Sequence, residues 1–123
     1  MKIVEGVVVG GNQLGRKLGF PTANIALNEE YEVENGVYAS KVYVGEVVYS
    51  AMTNVGIRPS VDGSKRLLEA HIFGFEGDLY GLTLRVELIE KIRDERKFAS
   101  VDELKEQIAK DRQEIKSKMD STL

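Results

Sequence analysis

Val37-Tyr38-Ala39-Ser40-Lys41-Val42-Tyr43-Val44-Gly45-Glu46-Val47-Val48-Tyr49-Ser50-Ala51-Met52-Thr53 decides the fold. Two runs rich in β-branched and aromatic residues flank a two-residue break. Glycine in the first position of such a break suits a type II′ turn, whose twist matches that of two paired strands, so the stretch predicts a tight antiparallel hairpin. The pattern recurs on either side. Ile3 to Val9 is β-branched and ends in Gly10-Gly11-Asn12, while Leu67 to Phe75 and Leu82 to Glu90 form a second pair around Glu76 to Gly81. Between them Asn28 to Asn35 carries Glu29, Glu30, Glu32 and Glu34 and reads as a solvated loop closed by the Asn35-Gly36 turn signal.

The character changes at Ser100. Ser100-Val101-Asp102-Glu103 is a capping-box pattern, in which serine caps the first amides and the glutamate reaches back. Leu104, Ile108, Ile115 and Met119 then recur at helical spacing, with Asp111 interrupting the stripe. Strands followed by one amphipathic helix predict a mainly β fold: a closed or nearly closed antiparallel barrel over about residues 1–92, covered by a helix over about 100–119. Closure hides the strand edges that an open sheet would leave exposed. The 123 residues have room for one such domain.

Composition excludes several chemistries. There is no cysteine, which removes disulfides, thiolate metal sites and cysteine nucleophiles and fits a reducing, cytoplasmic setting. His71 is the single histidine, so no mechanism here uses two imidazoles. A net charge of −3 argues against nucleic acid as a general partner, although a local basic cluster can still meet an anionic substrate. No segment approaches membrane-spanning length, and the N-terminal stretch, which carries Glu5, lacks the apolar centre of a signal peptide.

Gly10 to Asn24 is the most pointed segment. Gly10 and Gly15 have P-loop spacing, but Arg16 stands where the lysine belongs, Leu18 follows Lys17, and Phe20-Pro21 blocks the helix a P-loop must feed. What remains is a run of glycines whose amides can approach an anion, beside the charges of Arg16 and Lys17. Thr22 and Asn24, two apart after proline, fall on one face of an extended chain and offer the neutral oxygens that magnesium accepts. A phosphate site and a plain turn leading into a proline-started strand fit these residues about equally.

Gly15-Arg16-Lys17-Leu18-Gly19-Phe20-Pro21-Thr22-Ala23-Asn24 closely resembles the signature segment of the riboflavin kinase family. The likeness continues through Asn35 to Ala39, through Thr53-Asn54-Val55-Gly56-Ile57-Arg58-Pro59-Ser60 (similar to a family turn, with serine where threonine is usual), and through Leu68-Glu69-Ala70-His71-Ile72. It extends to Asp78 to Gly81 and to Ile92-Arg93-Asp94-Glu95-Arg96-Lys97-Phe98. The resemblance implies a six-stranded antiparallel Greek-key barrel with a helix packed on it. The implied activity is transfer of a phosphoryl group from ATP, with magnesium or another divalent cation, to the terminal ribityl hydroxyl of riboflavin, giving FMN and ADP. It assigns Thr22 and Asn24 to the metal and phosphates, Gly15, Arg16, Lys17 and Gly19 to the nucleotide, Glu69 to the role of base, and Arg93 and Phe98 to the flavin side. In bacteria the domain commonly sits beside an adenylyltransferase domain with a His-x-Gly-His motif. That motif is absent here, so no FAD synthesis is expected.

Without the resemblance Glu69 is an ordinary surface glutamate at a strand end. His71 reads as a structural histidine, and Phe98 serves equally well as a staple before the helix. Asn54 and Tyr80 sit in family-like turns with no role assigned. The rival readings are a non-catalytic flavin-binding split barrel, a kinase-like domain kept as a sensor, and a phosphate-binding domain for another alcohol. The first of these would need neither Thr22 with Asn24, nor the loop cations, nor Glu69.

Overall fold

The computed structural model describes residues 2–9, 22–27, 32–60, 63–75 and 77–122, with the side chains of 59, 60 and 120–122 outside that description. Six strands, β1 (Lys2–Val9), β2 (Ala23–Ala26), β3 (Gly36–Val44), β4 (Val47–Ser60), β5 (Gly63–Ile72) and β6 (Thr83–Arg93), precede one helix, α1 (Val101–Thr122). They close into an antiparallel barrel in the order β1-β2-β5-β4-β3-β6. The expected barrel and covering helix are both present.

The β3–β4 hairpin is the one its sequence predicts. Gly45 has φ +61°, and among the described residues only glycines have positive φ. Glu46 is therefore in an ordinary conformation, which selects a type II′ turn over type I′. β4 runs further than expected. Residues 54–60 form strand rather than turn and pair with β5 down to Ser60↔Gly63. β5 in turn ends at Ile72, with a turn at Phe73 and Gly74 where the expectation ran to Phe75. The acidic stretch before β3 is not wholly solvated either, since Val33 is buried in the barrel core.

Alternation along the strands sets two faces. Inward residues, among them Val4, Val8, Ile25, Val42, Val55, Leu68, Val86 and Leu88, fill the barrel. Ser40 and Thr53 are polar and fully buried there, and each satisfies the other through their hydroxyls while Ser40 also donates to the Ala51 carbonyl at 3.0 Å. A second cluster lies on the outer surface, where Ile115 and Met119 of α1 pack on Val37 and Ala39 with Met52, Phe73, Ile89 and Ile92 around them. β6 can supply both Ile89 and Ile92 because its pairing with β3 shifts register between Val37 and Tyr38 and again between Ala39 and Ser40. Each shift adds an unpaired residue, and the added isoleucines turn outward to the helix.

The helix start also follows its sequence, with one change. The Glu103 amide donates to Ser100 Oγ at 3.1 Å, but the Glu103 carboxylate accepts from the amide of Ala99 at 3.1 Å rather than from Ser100 itself. Ile115 and Met119 are buried while Leu104 and Ile108 are half-buried, so the C-terminal half of α1 carries most of the packing. Among the described residues no helix is long and apolar enough to cross a membrane.

Candidate active site

The outward side chains of β2, β5 and β4 bring the candidate residues together. Asn24 pairs with Glu69 across β2 and β5, and Glu69 pairs with Asn54 across β5 and β4. Their inward neighbours Ile25, Leu68 and Val55 belong to the barrel core, so all three polar side chains stand on the outer face. The row continues from Asn54 to Val37 and from Val37 to Arg93. Thr22 lies two residues ahead of Asn24, half-buried just before β2. Gly15, Arg16, Lys17 and Gly19 lie outside the described residues.

Among the described residues two atoms in this row lack partners: the side-chain Oδ1 of Asn24 and that of Asn54 are both buried with no hydrogen-bond partner there, one on each side of Glu69. A buried amide oxygen left unpaired is destabilising by about 1–3 kcal/mol, and sites of this kind point to a ligand or ion. Among the described residues no group of three or more acidic or histidine side chains could hold a metal alone. The donor set is thus neutral amide and hydroxyl oxygen, which suits a magnesium ion that takes the rest of its shell from phosphates and water.

Glu69 is held rather than free. Arg58, four residues beyond Asn54 on the same face of β4, donates from Nε to Glu69 Oε1 at 2.7 Å and from Nη2 to Glu95 Oε1 at 2.9 Å. Burial works against the Arg58 charge, but Glu95 and Glu69 outweigh it and hold the pKa above its ordinary value. Arg58 and Glu95 both lie in segments that resemble the family, and the resemblance assigns neither a part. The signal that could have found them is Gly56, since a glycine inside a strand marks a close approach.

Arg93 and Phe98 were expected on the flavin side. The Arg93 guanidinium forks onto Asp111 of α1, with Nε 3.1 and 3.0 Å from the two carboxylate oxygens and Nη2 at 2.8 Å from Oδ2. Gln107 adds a bond to the same carboxylate at 2.9 Å. This explains why an aspartate interrupts the apolar stripe: it is buried because it receives a paired cation. Removing the carboxylate in Asp111→Ala is expected to lower stability by about 2–3 kcal/mol, read from the denaturant midpoint, because it strands a largely buried charge. Phe98 is half-buried with the Arg93 and Arg96 guanidiniums 5.9 and 4.7 Å from its ring centre. Ala99, not Phe98, holds the position directly before the cap. His71 is buried on the same outer face, edge-on to Phe73 at 5.4 Å under the helix, a setting that matches the structural reading.

A cavity of about 240 Å³ lies elsewhere, between Lys2, residues 32–34 and Glu90 and Lys91 at the end of β6. Its three carboxylates, Glu32, Glu34 and Glu90, make it a poor seat for phosphates, and Lys91 is already paired with Glu34 and Asp94.

A bifunctional riboflavin kinase/FMN adenylyltransferase from Haemophilus influenzae is 47% identical over 110 residues, covering 88% of this chain and 35% of its own length. The chain thus spans about a third of that relative. An RNA-binding riboflavin kinase from Bacillus subtilis is 41% identical over 112 residues, covering 90% of this chain and 48% of its own. RNA binding is a property of that protein, and it leaves the expectation of no nucleic-acid partner without support. Among solved structures, one described as a macrolide-efflux protein from Streptococcus pneumoniae superposes with TM-score 0.80 at 40% identity, over 90% of this chain and 37% of that one. The riboflavin kinase of Trypanosoma brucei superposes with TM-score 0.68 at 24% identity, over 96% and 79%, and shares the fold. The model of the family described as "Flavokinase: Riboflavin kinase" matches residues 2–119, and with it the chain belongs to the riboflavin kinase family.

Proposed function

We propose that the chain transfers the γ-phosphoryl group of ATP to the terminal ribityl hydroxyl of riboflavin, producing FMN and ADP. The observation that carries this reading is the outward row Asn24–Glu69–Asn54, a carboxylate flanked by two buried amide oxygens that have no partner among the described residues. Thr22 and Asn24 would hold a magnesium ion, which when bound neutralises charge on the phosphates. Glu69 accepts the hydroxyl proton while the new oxygen–phosphorus bond forms and the bond to the ADP oxygen breaks. Positioning and charge neutralisation supply most of the rate in such transfers, and the base adds a share.

The row gives the reaction a direction. The nucleotide end is at Asn24, next to the expected contributions of Gly15, Arg16, Lys17 and Gly19. The flavin end is toward Arg93 and Phe98, where Arg93 acts through the ring it rests against rather than through a free guanidinium. A chain without cysteine that uses ATP suits the reducing cytoplasm. The adenylyltransferase activity named in the bifunctional relatives is not proposed for residues 1–123, because their single histidine cannot form the two-histidine motif.

Incubation with riboflavin and magnesium-ATP, followed by chromatographic separation of the flavins, is expected to give FMN and ADP and no FAD. A folded sample that forms no FMN with any of several divalent cations would refute the kinase reading, and FAD would refute the single activity.

A further inference from the structure

We propose that Arg58 and Glu95 form a positioning clamp that keeps one oxygen of Glu69 open, and that position 56 is glycine so that Glu95 can reach its place. The inference rests on Glu69 being the base. All three nitrogens of the Arg58 guanidinium are engaged: Nε with Glu69 Oε1 at 2.7 Å, Nη2 with Glu95 Oε1 at 2.9 Å, and Nη1 with the Ile57 carbonyl at 3.1 Å. An arginine beside a carboxylate ordinarily closes a two-bonded fork, as Arg93 does on Asp111 with Nε to Oδ1 and Nη2 to Oδ2. Such a fork on Glu69 would occupy both oxygens of the base. Glu95 draws Nη2 the other way, so the contact with Glu69 stays single and Oε2 is left to meet the hydroxyl.

Glu95 reaches Nη2 only across bare backbone. A Cβ at Gly56 would clash with the Glu95 carboxylate, so a side chain there forces that carboxylate to shift from its place beside Arg58. Gly56 lies between Asn54 and Arg58 on the outer face of β4, which places Glu95 between the flavin-side segment and the base. The three side chains are mostly shielded, with 21%, 14% and 28% exposure for Arg58, Glu69 and Glu95. At that depth the geometry is fixed by these contacts rather than by solvent.

The test compares kcat, riboflavin affinity by flavin fluorescence, and melting temperature. Glu95→Ala is expected to lower kcat roughly 10- to 100-fold, as a misplaced reacting group does, with riboflavin affinity within about twofold. Glu95→Gln keeps an acceptor for Nη2 and retains most of the rate. Adding Arg58→Lys to Glu95→Ala restores much of the loss, because an ammonium cannot fork onto the carboxylate. Gly56→Ala lowers both rate and melting temperature, and Glu95→Ala in that background recovers the melting temperature but not the rate. Wild-type kcat in Glu95→Ala, or no recovery from Arg58→Lys, overturns the clamp. If Glu69→Gln is inactive in the same assays, only the clamp has failed; if Glu69→Gln turns over normally, the base assignment has failed.

Discussion

Glu69→Gln is expected to lower kcat by roughly 10²- to 10⁴-fold, the span of a positioned general base, with riboflavin affinity little changed. The substitution isolates basicity because glutamine keeps a carbonyl oxygen where Arg58 Nε donates at 2.7 Å. The arginine stays paired, and the barrel loses no buried contact. Alanine would be a poorer probe, since it strands the Arg58 charge. The proposed base acts after both substrates are held, so the expected loss belongs in kcat rather than in flavin binding. A merely structural glutamate gives the opposite pattern, a lower melting temperature with near-normal turnover. Near-normal kcat in a folded variant would remove Glu69 from the mechanism and leave the family assignment standing.

Asn24→Ala is expected to reduce the rate about 10²-fold at limiting magnesium and ATP, as loss of one group from an electrostatic clamp does, without lowering the melting temperature. The second half of that statement is the sharper one. Asn24 is 6% exposed and its Oδ1 meets no donor among the described residues, so deleting it removes an unsatisfied acceptor. A buried side chain whose removal costs activity but not stability is held for a ligand. Thr22→Ala should act in the same direction. Wild-type kinetics for both variants, measured while varying magnesium, would show that the metal is held elsewhere.

Much of this molecule can be read from local sequence, and the parts that cannot have a common cause. The Gly45-Glu46 turn and the Ser100 cap are decided by residues within four positions of one another, so their chemistry is visible in a short window. The strand over residues 54–60 was hidden by Gly56 and Pro59, which look like turn signals, whereas long pairing with β5 overrides them. Asp111 reads as an interruption until Arg93, eighteen residues earlier, is seen to fork onto it. Glu95 and Arg58 are 37 residues apart, and Gly56 signals a close approach without saying which residue approaches. The site divides in the same way. Its residue types are legible at Thr22, Asn24 and Glu69. The order that aligns Asn24, Glu69 and Asn54 on one outward row depends on the register of three strands, and the place of Asn54 beside Glu69 follows from that register alone.

Paramagnetic broadening locates the nucleotide end of the row without relying on turnover. Manganese-ADP added to isotopically labelled protein is expected to broaden the amide signals of Asn24 and Glu69 and the side-chain amide of Asn24 first. Val37 and Arg93, further along the row, should broaden less, and Lys2, Glu34 and Lys91 around the separate cavity least. Broadening centred on that cavity, or on Arg93 before Asn24, would place the nucleotide away from Asn24 and overturn the proposed direction of the row.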